Sequence, residues 1–519
     1  SGGTASNYTL TGGTHNFTIN QRPLAATIAR QYDGTKTAAG SDLSSFDALQ
    51  GGETLTLSGS GTVGDENVAN GQGVTLGSLA LVNGTGLASN YSLNSASLNI
   101  TKRVLNSSGS KTYDANTDAL AGAITLSNLV SGEALNHSGT ATISSANAGS
   151  YTITNLSGIS IADGSGGTAS NYTLTGGTHN FTVNRRAVSV SGTRLYDATT
   201  NAVASDLSTH ANLVGSETLN LSGTGTIASK NVGSNKTVSV GTLALADGSN
   251  GGLAANYTLS GGTHQLTVNQ RPLNATLARQ YDGTTTAAGS DLSSFDALQG
   301  GETLTMTGSG TAASANVANG IAMSSNGTLA LADGTGLASN YSLNSTVINI
   351  AQRVLNSSGS KTYDANTDAL AGAITLSNLV SGEALNHSGT ATISSANAGS
   401  YTITNLSGIS IADGSGGTAS NYTLTGGTHN FTVNRRAVSV SGTRLYDATT
   451  NAVASDLSTH ANLVGSETLN LSGTGTIASK NVGSNKTVSV GTLALADGSN
   501  GGLAANYTLS GGTHQLTVN

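Results

Sequence analysis

A cation, one spacer, a phenol and a carboxylate recur six times in this chain. The sets are Arg30/Tyr32/Asp33, Lys111/Tyr113/Asp114, Arg194/Tyr196/Asp197, Arg279/Tyr281/Asp282, Lys361/Tyr363/Asp364 and Arg444/Tyr446/Asp447. A fixed pattern of such groups is the first candidate for a site. On a strand, residues two apart share a face, so the cation would lie over the tyrosine ring. The aspartate would then open a turn by accepting backbone N–H groups. That reading is structural and accounts for every position without a substrate. An Asn-Tyr pair recurs at Tyr8, Tyr91, Tyr172, Tyr257, Tyr341, Tyr422 and Tyr507. It reads as a corner whose phenol O–H pins a loop.

Two other patterns suggest metals. Gly-Gly-Thr-His recurs at His15, His179, His264, His429 and His514. Ligation needs three or four donors, and no second histidine or carboxylate stands at a fixed spacing, so a turn or strand-edge role is expected. The Ala-Asp-Gly loops at Asp163, Asp247, Asp333, Asp413 and Asp497 resemble calcium loops. Each brings one carboxylate where calcium gathers several oxygens, so hairpin turns are expected, with calcium as the lesser alternative. Asn-x-Ser/Thr acceptor sites occur at Asn7, Asn16, Asn90, Asn106, Asn171, Asn180 and Asn256, in a chain so rich in these residues that chance yields many. No nucleophile–base–orienter set, carboxylate pair or phosphate-cradling loop repeats. No catalytic, cofactor-binding or metal-ligating residue is assigned, and no enzymatic activity is expected. Isopeptide cross-links would need a lysine in each core, and residues 270–351 contain none.

The elements that carry these patterns are themselves copied. Residues 103–269 recur letter for letter as 353–519. A catalytic pocket gains little from verbatim copying, whereas length and equal contacts along a line gain directly. Each 250-residue block divides into three types. The units are A1 (21–101), B1 (102–184), C1 (185–269), A2 (270–351), B2 (352–434) and C2 (435–519). Residues 1–20 nearly duplicate 165–184, with Ile19 in place of Val183, and read as the closing strand of a truncated preceding repeat. The chain is therefore expected to be a window of a longer protein.

Composition narrows the class. There is no cysteine or tryptophan, 70 glycines stand against two prolines, and charged residues are 9%. Absence of cysteine removes disulfide and thiolate schemes. The net charge of −7 is thinly spread, with no basic stripe to suggest nucleic acid. No apolar run has the length of a membrane span. The hydrophobic period is two, as at Leu55/Leu57, Ala141/Ile143 and Val238/Val240, in short runs bounded by Gly, Asn, Asp and Ser. Such runs predict an all-β fold: six small antiparallel β-sandwich (Ig-like) domains in tandem, forming an extended rod. A β-solenoid is the alternative, but its coils repeat at a far shorter period than these units. One short helical turn is expected near Ser41–Leu49.

Arginines mark the joints, at Arg22, Arg103, Arg186, Arg271, Arg353 and Arg436. No flexible linker intervenes, so stiff junctions are expected. Each junction arginine is expected either to pair with an Ala-Asp-Gly carboxylate or to serve solubility.

The Tyr-Asp-Gly openings (Tyr32-Asp33-Gly34, Tyr281-Asp282-Gly283), Gly59–Gly61, Lys230–Gly233 and the closing Asn-Tyr-Thr-Leu resemble the YDG repeat and its relative, the MBG repeat. Ala115 and Ala198 replace the glycine in types B and C. The resemblance implies a region of a large bacterial surface adhesin, filamentous-haemagglutinin-like and exported by two-partner secretion. It carries no catalytic residues. It implies an extracellular stalk or filament in adhesion or biofilm. The expected partners are other copies of the protein, or glycans or proteins of the cell surface and matrix. A multivalent array holding glycans or fibres weakly is the second reading.

Overall fold

A computed structural model describes residues 2–519 of the chain. Among these residues the secondary structure is strand, with thirteen three-residue 3-10 turns as the only helical elements. Two compact units are present. One is built from residues up to Arg194 with Thr200–Val268, the other from Leu195–Thr199 with Asn269–Asn519.

The first repeat shows why the sequence folds this way. Its strands are β1 (Arg22–Gln31), β2 (Thr37–Ala39), β3 (Leu43–Phe46), β4 (Leu55–Ser58), β5 (Ser60–Thr62), β6 (Ala69–Gly73), β7 (Ala80–Asn83) and β8 (Tyr91–Thr101). The period-two pattern sends Leu24, Ala26 and Ile28 of β1 inward, opposite Ala96, Leu98 and Ile100 of β8. Leu55 and Leu57 of β4 are buried in the same way. The sheet runs β3-β1-β8-β6, with β2-β5 and β4-β7 as separate pairs. The expected helical turn is smaller than its predicted span. One 3-10 turn occupies Gly40–Asp42, and Leu43–Phe46 pairs as a strand with β1, which satisfies its backbone groups.

The central pairing is parallel. β1 and β8 run side by side from Arg22↔Tyr91 to Gln31↔Thr101. The same arrangement joins Arg271–Gln280 to Tyr341–Ala351. In type B, Asn106–Thr112 lies parallel to His179–Asn184. When the first and last strands are parallel, the chain enters a domain at one end and leaves at the other. The next repeat then begins where the last one stops.

Cores follow the same logic within each unit. The cluster around Ile28, Leu98 and Ile100 also contains Leu105 and Tyr172 of the second repeat. The cluster around Leu277, Ile348 and Ile350 likewise contains Leu355 and Tyr422. Apolar burial, about 1.5–3 kcal/mol for a fully buried large side chain, is thus shared across the repeat boundary.

The closing strand is fitted to its own repeat. In B1, Gly109 lies beside Phe181, which is 1% exposed. A Cβ at Gly109 would stand 2.3 Å from the Ala123 carbonyl oxygen and 2.7 Å from the Phe181 ring. Gly109→Ala should therefore destabilise B1 by about 1–3 kcal/mol through overpacking. Hydrogen exchange should show the loss in Asn106–Thr112 and His179–Asn184, with the duplicate repeat B2 as internal control.

Candidate functional site

The tyrosine of each Tyr-Asp leaves its strand and inserts into the following repeat. Tyr32 is 4% exposed, and its hydroxyl donates to Glu133 Oε1 at 2.6 Å. The same carboxylate takes a second phenol: Tyr172, of the Asn-Tyr pair, donates to Glu133 Oε2 at 2.6 Å. The Tyr172 oxygen in turn accepts from the Val130 backbone N–H at 3.0 Å. The two rings meet edge to face, centroids 5.5 Å apart at 79°. One glutamate, two phenols from successive repeats and a backbone N–H thus form a closed set.

The asparagine before the second tyrosine faces back across the boundary. Asn171 is fully buried. Its Oδ1 accepts from Val68 N at 2.9 Å and its Nδ2 donates to Asn67 Oδ1 at 2.8 Å, both in the preceding repeat. A 3-10 turn, Ala169–Asn171, holds it there. Asp163 Oδ1 accepts the Ala169 N–H at 2.7 Å and fixes that turn. Asp247, Asp333, Asp413 and Asp497 do the same for Ala254, Ala338, Ala419 and Ala504. Asn83 replaces the aspartate in A1 and accepts from Ala88 at 2.7 Å, so the position needs an acceptor oxygen and not a charge.

This arrangement recurs. Tyr113, Tyr257 and Glu217 form it with hydrogen bonds of 2.7 and 2.6 Å. Tyr196, Tyr341 and Glu302 form it at 2.6 and 2.9 Å. Tyr281, Tyr422 and Glu383 form it at 2.7 Å for both bonds. Tyr363, Tyr507 and Glu467 form it at 2.7 and 2.5 Å. Their ring centroids lie 5.3–5.4 Å apart.

The junction arginines take a different role from the ion pair expected of them. Arg103 Nε donates to the Asn128 carbonyl at 2.6 Å, Nη2 to Asn128 Oδ1 at 2.9 Å and Nη1 to the Tyr32 carbonyl at 3.4 Å. Arg186 reaches Asn212 and Tyr113, Arg353 reaches Asn378 and Tyr281, and Arg436 reaches Asn462 and Tyr363. Arg271 Nε donates to the Tyr196 carbonyl at 2.7 Å, and Arg22 Nε to that of Ala48 at 2.7 Å. The Ala-Asp-Gly carboxylates are occupied with their own turns, and the guanidinium forks onto carbonyls instead.

The cation of the six-fold signature does not rest on the tyrosine ring. Arg30 and Asp33 form an ion pair, and Arg30 Nη2 donates to the Thr35 carbonyl at 2.6 Å. Lys111 meets Asp114 at 2.8 Å and Lys361 meets Asp364 at 2.8 Å. Arg279 pairs with Asp282, and Arg444 meets Asp447 at 2.6 Å. Asp33 also accepts from Thr35 N at 2.9 Å, and Asp197 from Thr199 N at 2.9 Å. The aspartates are partly exposed, so these pairs fix the turn and add little stability by charge alone. The turn itself has positive φ: +74° at Gly34, 62° at Ala115 and 63° at Ala198.

The histidines fill hydrogen-bond roles. His264 Nδ1 accepts from Val190 N at 3.3 Å and Nε2 donates to the Leu259 carbonyl at 2.9 Å. His514 repeats this at Val440 and Leu509. His179 and His429 contact Ser107 and Ser357 through Nδ1. His15 meets the Leu10 carbonyl on an exposed segment. Among the described residues no group of three or more His, Cys, Asp or Glu is placed to hold a metal ion. Of the glycosylation acceptors, Asn171 and Asn256 are buried within sockets.

The residue that sequence reading missed is the glutamate. Six of the seven glutamates (Glu53, Glu133, Glu217, Glu302, Glu383 and Glu467) occupy one recurrent position after a Leu-x-x-Gly or Val-x-x stretch. That recurrence was the available signal.

The family described as YDG domain matches residues 16–100, 98–181, 180–265, 263–348, 351–430 and 430–514. The chain belongs to this family. No curated protein matches it. A solved structure titled "The Bacillus anthracis TIE protein" is similar at 8% identity over 74% of each chain, with a TM-score of 0.14. Among the described residues no helix is long and apolar enough to cross a membrane.

Two outcomes follow from the socket chemistry. Glu133→Gln leaves one acceptor oxygen for two phenols and turns an amide toward a donor. It should cost about 1–3 kcal/mol locally, read as faster hydrogen exchange around Val130 and Asn171 in the full chain. Alkaline pH should release all sockets together. Burial, then the bond to glutamate, holds the phenols of Tyr113, Tyr172, Tyr257, Tyr363 and Tyr507 up to about 12. Tyr341 and Tyr422 also rise to about 12, through burial first and despite opposing backbone bonds. A folded-state value above the unfolded one favours the protonated phenol. The stability it gives is complete below about pH 10 and is lost as pH rises toward 12. Denaturant titrations should show a plateau to about pH 10 and a steep fall beyond it, while phenolate absorbance appears late.

Proposed function

We propose that this array of YDG domains is a structural stalk or filament segment of an extracellular bacterial adhesin or biofilm matrix fibre. Its role is mechanical, with no catalysis. The observation that carries this reading is the shared socket. Each one couples a repeat to the next through buried hydrogen bonds from both sides, with no flexible linker between them. Coupling of that kind suits a part that transmits position or force and is poorly suited to independent binding modules.

The aromatic side chains support the same reading. The Tyr-Asp and Asn-Tyr rings within the sockets are buried, which leaves little aromatic surface for a glycan. Contacts with other copies, or with glycans and proteins of the cell surface or matrix, would then lie at ends or faces outside the repeats' interiors. Export by two-partner secretion is part of this proposal and rests on the resemblance of the repeats.

Small-angle X-ray scattering of the 519-residue chain, with and without a calcium chelator, tests it. A long, thin particle indifferent to chelator is expected. A compact or freely flexed particle would overturn the stalk, and one that stiffens only with calcium would return the Asp-Gly loops to the centre of the account.

A further inference from the structure

The socket has two halves, and the two outermost repeats each present one of them. In the last repeat, Tyr446 is 49% exposed, whereas Tyr32, Tyr113, Tyr196, Tyr281 and Tyr363 are 0–5% exposed. Val482 stands at the position of Val68, whose N–H serves the following repeat's asparagine, and is 65% exposed. In the first repeat the opposite half is assembled. Tyr91 donates to Glu53 Oε2 at 2.6 Å, and its oxygen accepts from Gln50 N at 3.3 Å. Asn90 ends its 3-10 turn as Asn171 does, yet it is exposed, and its carboxamide has no partner among the described residues. Glu53 Oε1 corresponds to the oxygen that Tyr32 fills at Glu133.

The halves also match in type. Repeat C2 is identical to C1, and the chain already joins a C-type tyrosine to an A-type socket. Tyr196 donates to Glu302 at 2.6 Å, lies 5.3 Å from Tyr341 edge to face, and gives its carbonyl to Arg271. A1 offers Glu53, Tyr91 and Arg22 at the places of Glu302, Tyr341 and Arg271.

We infer that copies of this chain associate head to tail, the Tyr446 face of one docking on the Glu53–Asn90–Tyr91 face of the next. The contact is heterologous and leaves both outer halves unfilled, so it extends an open chain of molecules instead of closing a ring. The inference rests on the socket being what couples neighbouring repeats. Covalently linked repeats dock at an effective concentration on the order of millimolar, so association between separate copies belongs to that range.

Sedimentation velocity of the full chain up to about 1 mM tests it. Wild type should grow past dimers with concentration. Tyr446→Ala, at an exposed position, should remain monomeric, as should Glu53→Gln and the exposed variant Asn90→Ala. An equimolar mixture of Tyr446→Ala and Glu53→Gln keeps one intact half on each partner, so it should form dimers and nothing larger. Phe17→Asp, on the exposed strand of residues 2–20, should associate as wild type does. A wild type monomeric throughout, a mixture that stays monomeric, or growth abolished by Phe17→Asp would overturn the proposal, the last pointing to strand addition. Hydrogen exchange in Glu302→Gln separates the two failures. If that internal socket loosens while wild type stays monomeric, coupling within the chain stands and docking between copies falls.

Discussion

A half-buried carboxylate holding two phenols from successive repeats is the constraint on which the rest depends. Neither repeat can complete this set alone. A phenol at Tyr32 without Glu133 is an unsatisfied donor in an apolar setting, and Glu133 without both phenols is a poorly solvated charge. Leaving either state buried costs more than the bonds themselves are worth when made, because desolvation has no compensation. The sockets therefore act less as glue than as a requirement for docking in one geometry. Edge-to-face ring contact and the Asn171 carboxamide restrict that geometry further, since each has a narrow set of acceptable orientations.

The fold makes the constraint repeatable. Parallel pairing of the first and last strands delivers the chain to the far end of each domain, so the Tyr-Asp turn of one repeat lies where the next repeat's Asn-Tyr turn begins. The junction arginine closes the remaining carbonyls of the crossing. Positive-φ turns at Gly34, or at Ala115 and Ala198, direct the chain away from the inserted tyrosine. Alanine in that region is strained by about 1–2 kcal/mol, and types B and C tolerate it because the surrounding ion pair and threonine bonds hold the turn.

Much of this was legible in the sequence. Period-two runs such as Leu55/Leu57 gave the strands, and the recurrent Tyr-Asp and Asn-Tyr pairs marked the groups that matter. What was not legible was their partner. Local reasoning placed the Arg30 charge over the Tyr32 ring because both were read on one strand, whereas the tyrosine's contacts lie about a hundred residues on, at Glu133 and Tyr172. Arg103 was assigned to a carboxylate for the same reason: a sequence shows charges, while the carbonyls that a guanidinium satisfies appear only after the backbone is folded. Glu133 stood in an unremarkable Gly-Glu-Ala loop, and its meaning came only from two tyrosines converging on it.

Verbatim copying carries a hazard, since identical strands can exchange between domains. The order of types limits it. Facing positions in the first and last strands differ in how volume is divided: Ile28 with Leu98 in type A, Gly109 with Phe181 in type B, and Gly442 with Leu516 in type C. A B-type closing strand in an A body would set Phe against Ile and overpack it. An A-type strand in a B body would set Leu against Gly and leave part of the phenylalanine's volume empty. Each error costs on the order of 1–3 kcal/mol or more. Because successive repeats are always of different type, the nearest wrong partner is also a misfit, and the matching one lies a full block away. The sockets can stay the same at every boundary because the discrimination between neighbours is carried by the cores.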